Sequence, residues 1–529
     1  MHISRREILA GTAAVTAANF LSHAPVAQET AYAPLPALAV QDARDSLEVR
    51  LEAVSGETEF IPGTASPTLG FNQPYLGPVL RVRSGTTVNA EVLNSTDRVV
   101  SVHWHGLLVS GEVDGGPHQP IEPGATWRPV LPIDQPRATL WYHTHIHGET
   151  AERVYAGLAG VLLIDDGQDQ ARGLPVELGV DDLILVIQDK RFDGAGRAIY
   201  EPTAGDKLHG FLGDTILVNG AIRPVAAVPA GVVKLRLLNA ANARNFNFFF
   251  SDQRTFHLVA SDQGLRAAPL AMNRLRLSPG ERAEVLVDFA GAGDAALLSH
   301  PHNEGSGVSG MGHDMGGMIA NEERFTQPFE VLGFQVSADL PVAVSSIPTT
   351  LVPRDDAALT EAATTREFRL NDMGDLAMTR PAGNLLDALV AAPAMDHGAH
   401  AMPGMAMPGM RMPAGAATEP VFGINGQAFD MARIDFAATT GTTERWILGA
   451  DMMGHPFHIH GARFRVVRDK GGEPRPENQG WKDTVFVDGE VELLVVFQRT
   501  AAATAPFMFH CHILEHEDHG MMGQGTVDA

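Results

Sequence analysis

Four copies of the unit His-x-His constrain this chain more than any other feature. They are HWHG (His103, His105), WYHTHIHG (His143, His145), HPFHIHG (His458, His460) and HCHILEHEDHGMM (His510, His512). On a β-strand, residues i and i+2 point to the same face. Each unit therefore projects two imidazoles side by side. One such pair alone reads as a solvated surface strand. Four pairs, each beside apolar or aromatic strand-like residues, read as a metal site. Two pairs lie in the first third of the chain and two near its end, so two terminal domains would meet and share the site.

Cys511 is the only cysteine, and it stands between His510 and His512. By the same alternation it faces away from them and serves a different centre. His455, His516 and Met521 can fill that centre. Two histidines, a thiolate and a weak axial thioether make a blue-copper electron-transfer site. A Cys₂His₂ zinc site is excluded, because a second cysteine is missing. An electron arriving at the thiolate has a short covalent path to the histidines on either side.

A chain of 529 residues exceeds one ordinary core. Strand-rich blocks run over residues 45–168, 178–338 and 365–529. Short alternating runs separated by turn residues, with 54 glycines and 34 prolines, predict antiparallel β-sandwiches. The stretches VRSGTTVNAEVLN, VPAGVVKLRLLN and LSPGERAEVLVDF look alike and hint at a repeated domain. The formal charge of -24 repels nucleic acid and anionic membranes and attracts cations. Arg5 and Arg6 precede an apolar stretch too short to span a bilayer. Residues 1–28 therefore read as a twin-arginine export signal, which predicts a periplasmic or exported protein without membrane insertion. Residues 395–415 are rich in Met, Gly, Pro and His and read as a loop. Methionine thioethers are soft ligands that select Cu(I), so this loop is expected to recruit Cu(I) and to cover the way in to the Cys511 centre.

These motifs resemble the multicopper oxidases, most closely the bacterial periplasmic cuprous oxidases of the copper-efflux type. HWHGLLVSGEVDGGPH, WYHTHIHGETAERVYAGLAGVLLIDD, DTILVNGAIRP, DMMGHPFHIHG and HCHILEHEDHGMM carry the resemblance across nearly the whole mature chain. It implies an all-β chain of three cupredoxin-like Greek-key β-sandwich domains holding about four coppers. It places His455, Cys511, His516 and Met521 on the type 1 copper. His103 and His458 fall on the type 2 copper, and His105, His143, His145, His460, His510 and His512 on the type 3 pair. Asp114 and Glu517 match acidic residues that supply protons. Asp451 and Met453, with Met373 and Asp375 from the third block, match positions that bind substrate Cu(I).

The resemblance implies a multicopper oxidase that couples one-electron oxidations of Cu(I), and of phenolic or aromatic donors, to reduction of O2 to water for copper tolerance. Its partners are then Cu(I) or a small organic reductant together with O2. A laccase acting on phenols or aromatic amines is one alternative; a non-enzymatic periplasmic copper-binding protein is another. A family member that has lost copper and acts in cell division is a third, disfavoured because such a protein would lack the ligands. A two-domain nitrite reductase is disfavoured because its type 1 cysteine is not flanked by two cluster histidines. Three covalently joined domains can build the cluster within one chain, which predicts a monomer.

Overall fold

The computed structural model describes residues 30–38, 46–291, 293–302, 327–353, 359, 361–371, 422–450 and 453–529. The signal segment 1–28 and the methionine-rich loop 395–415 lie outside the described residues.

Each strand-rich block forms two sheets around an apolar core. The first sets a sheet through Ala138–His143 against one through Ser46–Ile61. The second sets a sheet through Asp182–Phe192 against one through Val225–Pro229, and the third a sheet through Thr443–Ala450 against one through His455–Ile459. Leu51, Val92 and Leu140 centre the first core, Leu235, Phe246 and Val285 the second, and Trp446, Phe457 and Phe509 the third. The chain is all-β with cupredoxin-like sandwich domains.

The sheets are mixed rather than purely antiparallel, which corrects the expectation from strand patterning. Ser46–Ile61 runs parallel to Thr87–Asn94, Asp182–Phe192 to Val232–Asn239, and Thr364–Asn371 to Thr443–Ala450. A second parallel pair recurs in the opposite sheets: Val79–Arg83 with Ala159–Asp165, Val225–Pro229 with Phe329–Ser337, and Phe436–Thr439 with Met522–Asp528. Parallel neighbours require a crossover rather than a hairpin, and alternation within single strands carries no record of crossovers. The recurrence of both pairs gives structural form to the weak sequence repeat.

The pattern of burial shows which strands build the site. Thr87–Asn94 alternates between buried and half-buried positions, as a strand with one covered face should. Ala138–His143, His455–Ile459 and Phe507–Cys511 are buried at every position. One face of each meets its own domain's core and the other meets a neighbouring domain. Phe457, Ile459, Phe509 and Cys511 fill the third core. His458 and His510, directly opposite one another across the two strands, point the other way.

Candidate metal centre

All eight paired histidines, together with His455 and His516, are at most 1% exposed. In two sets of three, His105–His143–His512 and His145–His460–His510, one ring nitrogen from each residue lies within 4.8 Å of the others. His103 and His458 face each other, with Nε2 atoms 3.4 Å apart. Half of these imidazoles come from the first domain and half from the third.

Hydrogen bonds on the outer ring nitrogens fix which nitrogen faces inward. Nδ1 of His103, His143, His458 and His510 contacts the carbonyl oxygens of Asp114, Thr144, Asp483 and Cys511 at 3.1, 2.8, 2.9 and 3.0 Å. A carbonyl only accepts, so each Nδ1 carries the proton and each Nε2 presents a lone pair. His460 does the same through the Asp114 carboxylate, 2.7 Å from its Nδ1. The Nε2 atoms of His145 and His460 then stand 3.2 and 3.3 Å from that of His510. Where both facing nitrogens bear lone pairs, no hydrogen bond can join them. His105 is inverted: its Nε2 lies 3.2 Å from Asp483 Oδ1 and its buried Nδ1 is without a hydrogen-bond partner. Both ring nitrogens of His512 are buried and unpartnered as well.

Burial, reinforced by neighbouring imidazoles, pushes His105, His143, His145, His458, His460 and His510 well below the ordinary histidine value. Burial takes His512 down to about 3. The result is a buried cage of imidazoles, kept toward their neutral form, with ring nitrogens aimed at one another. Such an arrangement fits metal ions, which accept the lone pairs that these nitrogens present.

The second centre is smaller. Cys511 Sγ lies 3.5 Å from His455 Nδ1 and 3.7 Å from His516 Nδ1, and the two nitrogens are 3.3 Å apart. His516 donates from Nε2 to the Leu208 carbonyl at 3.0 Å, leaving Nδ1 for the centre. The Ile513 N–H donates to the sulfur at 3.3 Å. Burial pushes the thiol well above its ordinary value and His455 down to about 3. Without a cation the thiolate would be costly here; a bound metal deprotonates it outright. Met521 is buried in the same apolar cluster as Cys511.

Of the expected proton-supplying residues, Asp114 places Oδ2 on His460 and 3.3 Å from His103 Nδ1. Glu517 lies 3.2 Å from His510 Nδ1 and 3.4 Å from His145 Nδ1. Burial, with Asp518 beside it, raises its pKa well above the carboxylate range. Met453 is half-buried and packs against the third core together with Leu208. Asp451, Met373 and Asp375 lie outside the described residues.

Asp483 escaped the sequence reading. Its side chain holds His105 and its backbone holds His458. Burial opposes its charge, but the Arg282 guanidinium overrides this and keeps it below the ordinary value. The signal was present in WKDTVFV, where two opposite charges sit inside an otherwise apolar run. Trp141 was missed too; it stacks on His143 with ring centres 4.2 Å apart.

Family models described as multicopper oxidase match residues 53–169, 191–299 and 402–529. The chain is 36% identical to the cell division protein FtsP of Dickeya dadantii (strain 3937), over 94% of this chain and 93% of that protein. It is 35% identical to the cell division protein FtsP of Escherichia coli (strain K12), over 100% of this chain and 99% of that one. Among solved structures it resembles CueO, a laccase-like multicopper oxidase from the lignin-degrading bacterium Ochrobactrum sp.. That likeness has a TM-score of 0.77 at 39% identity and covers 93% of this chain and 99% of that one.

These relatives overturn the expectation of a cuprous oxidase serving copper tolerance, and with it the laccase and copper-storage alternatives. Proteins alike over the whole chain are named for cell division. Ligand retention does not exclude that role, contrary to the argument from sequence. The physical reason is where the information sits: buried ligands decide which metal chemistry a fold can host. They do not encode the electron donor or the cellular task.

Proposed function

This chain belongs to the multicopper oxidase family, and from that premise we propose that it is a copper-holding oxidoreductase working in the setting its curated relatives are named for, cell division. It is exported as a monomer behind the Arg5–Arg6 signal. The observation that carries this reading is the buried cage of imidazoles whose ring nitrogens face one another, five of them held with Nδ1 on an oxygen acceptor and Nε2 turned inward.

Cys511, His455, His516 and Met521 hold one copper in this reading. His103 and His458 hold a second, and the sets His105–His143–His512 and His145–His460–His510 hold one each, about four per chain. Copper bound there supplies one-electron chemistry, with an electron donor on one side and dioxygen, reduced to water, on the other. The protein's own part is threefold. It separates the two centres by a single residue along the strand, so that Cys511 is bonded through backbone to His510 and His512. Burial excludes bulk water from both. Reduction of dioxygen to water consumes as many protons as electrons, and the chain keeps carboxyls beside the cluster: Asp114 at His460 Nδ1, Glu517 between His510 and His145. Burial favours the protonated form of Glu517, and a proton held there lies beside the cluster histidines that would receive it.

Oxygen uptake by the copper-loaded protein, with ferrocyanide as sole donor, tests the chemistry. Uptake that disappears in Cys511→Ser supports it. A protein that binds no copper, or loads fully and consumes no oxygen, sinks it. The cellular setting is tested by restoring the gene to a deletion strain and measuring cell length under division stress. If Cys511→Ser restores division as well as wild type does, the redox centre has no part in that task.

A further inference from the structure

The two three-histidine sets are supported in different ways. His145, His460 and His510 are backed by Asp114 and Glu517, from the first and third domains. His105, His143 and His512 are backed by the middle domain, which contributes none of the paired histidines. Gly280 of that domain lies flat under His512: a Cβ there would sit 2.7 Å from the ring, and φ is +83°. Arg282, two residues on, grips Asp483 with both ends of its fork, Nη1 to Oδ1 and Nη2 to Oδ2, each at 2.7 Å. Gln263 Nε2, also from the middle domain, donates to the same Oδ2 at 2.6 Å. Asp483 then receives His105 Nε2 at 3.2 Å, while its backbone carbonyl receives His458 Nδ1 at 2.9 Å. The rings of His105 and His458 are stacked 3.6 Å apart. Gly106 makes room for the clamp, since a Cβ there would lie 2.5 Å from Asp483 Oδ2 and 2.7 Å from Arg282 Nη2.

We propose that Asp483, clamped by Arg282, is a positioning residue through which the middle domain sets the metal affinity of the His105–His143–His512 position. Asp483 Oδ1 and Thr484 Oγ1, which itself donates to Asp483 Oδ1 at 2.9 Å, both lie 3.2 Å from His105 Nε2. The clamped pair holds the His105 proton on Nε2 and so turns Nδ1 toward the metal, the reverse of the tautomer shown by His103, His143, His458, His460 and His510. A carboxylate behind a ligating imidazole fixes its orientation and raises its basicity, and removing such a partner costs about 10- to 100-fold in metal affinity. A bidentate arginine holds that carboxylate more rigidly than a lysine would. The inference rests on the copper-holding reading above.

The test is copper affinity, measured by competition with a chelator, alongside the visible absorption of the Cys511 centre in the same sample. Asp483→Asn keeps the shape of the side chain but can present an N–H₂ to His105. It is expected to weaken the histidine-bound copper about 10- to 100-fold and to leave the Cys511 absorption unchanged. Asp182→Asn is the control: Asp182 is equally buried and equally gripped, by Arg236 at 2.8 and 2.8 Å, but faces no histidine. It is expected to leave both centres at wild-type affinity. Where Asp483→Asn does not accumulate folded, Arg282→Lys replaces it, with a smaller loss in the same direction. Unchanged affinity in the Asp483 or Arg282 variant overturns the proposal, as does equal loss from both centres or equal loss in the control. Wild-type protein with a blue centre and no further copper overturns the functional reading, and this one with it. A full wild-type complement with an unchanged variant overturns this one alone.

Discussion

The two centres differ in how they are assembled. His455, Cys511 and His516 come from two neighbouring strands and one short helix of the third domain. The histidine cluster is split between the first and third domains. The ligands of the Cys511 centre are therefore local, with one orienting bond from another domain, His516 Nε2 to the Leu208 carbonyl. That centre should survive small movements between domains better than the cluster does. The cluster exists only while the domains are docked, so docking contacts are cluster contacts. The helix Leu514–Asp518 joins the two regimes. His516 faces the sulfur, Glu517 faces the cluster, and Asp518 reaches the first domain, where its carboxylate accepts from the backbone N–H groups of Thr150 and Ala151 at 2.9 Å each. Glu515 reaches the middle domain through Tyr200 at 2.9 Å and Asn242 at 2.8 Å.

The largest effect should come from cutting the link between the centres. Cys511→Ser is expected to remove the copper–thiolate absorption completely, to drop oxygen uptake to background, and to lower bound copper by one ion. Elemental analysis and visible spectroscopy of one preparation check all three. Loss of the cluster copper as well would break the comparison, because the centres would then not be independent.

Glu517→Gln removes a carboxyl that faces the cluster at His510 and His145 and does not reach the Cys511 ligands. Oxygen turnover should fall about 10²- to 10⁴-fold, the span for loss of a positioned proton donor, with the Cys511 absorption intact. Turnover at the wild-type rate would remove Glu517 from proton supply.

Acidity should act on the metal-free protein in two opposed ways. His455 and His512 titrate at about 3 when folded against 6.5 for a free histidine. Between those values the unfolded chain binds more protons, so their contribution is fully present above pH 6.5 and is lost as pH falls. Glu515 and Asp518 are raised by burial to about 7, from 4.5 and 3.8. Their contribution is present at low pH and is lost as pH rises through about 7. His105, His143, His145, His458, His460 and His510 are lowered in the same sense, and Glu517 is raised with the acids. The histidines therefore outweigh the acids, and thermal stability of the copper-free protein should climb from pH 4 to about 6.5 and then decline. A melting profile that is flat over this range would contradict the burial account.

The smallest effect is expected from Asp518→Ala, which removes a helix cap across the domain boundary at about 1 kcal/mol. In mild denaturant the cluster copper should be released before the Cys511 copper. Simultaneous release would show that the local centre is no more robust than the shared one.

The separation of Cys511 from its flanking histidines was legible in the sequence because strand alternation is strict over three residues. So was the all-β class, from alternating runs such as TVNAEVLN, which the structure buries in that rhythm. The parallel pairings were not legible, because crossovers join strands far apart in the chain. Asp483 was not legible either: its role depends on Arg282, Gln263 and His105, which come from three distant stretches. The cellular task was hidden for a different reason. It depends on what the outer surface of the protein meets, and the legible motifs all point inward.

Anomalous diffraction at the copper edge, from crystals of the copper-loaded protein, tests the central claim most directly. The account predicts one peak between Cys511 Sγ, His455 Nδ1 and His516 Nδ1. It also predicts one beside His103 and His458, and one within each three-histidine set, with the peak of the inverted set facing His105 Nδ1. Density at the Cys511 centre alone, or none at either centre, would contradict it.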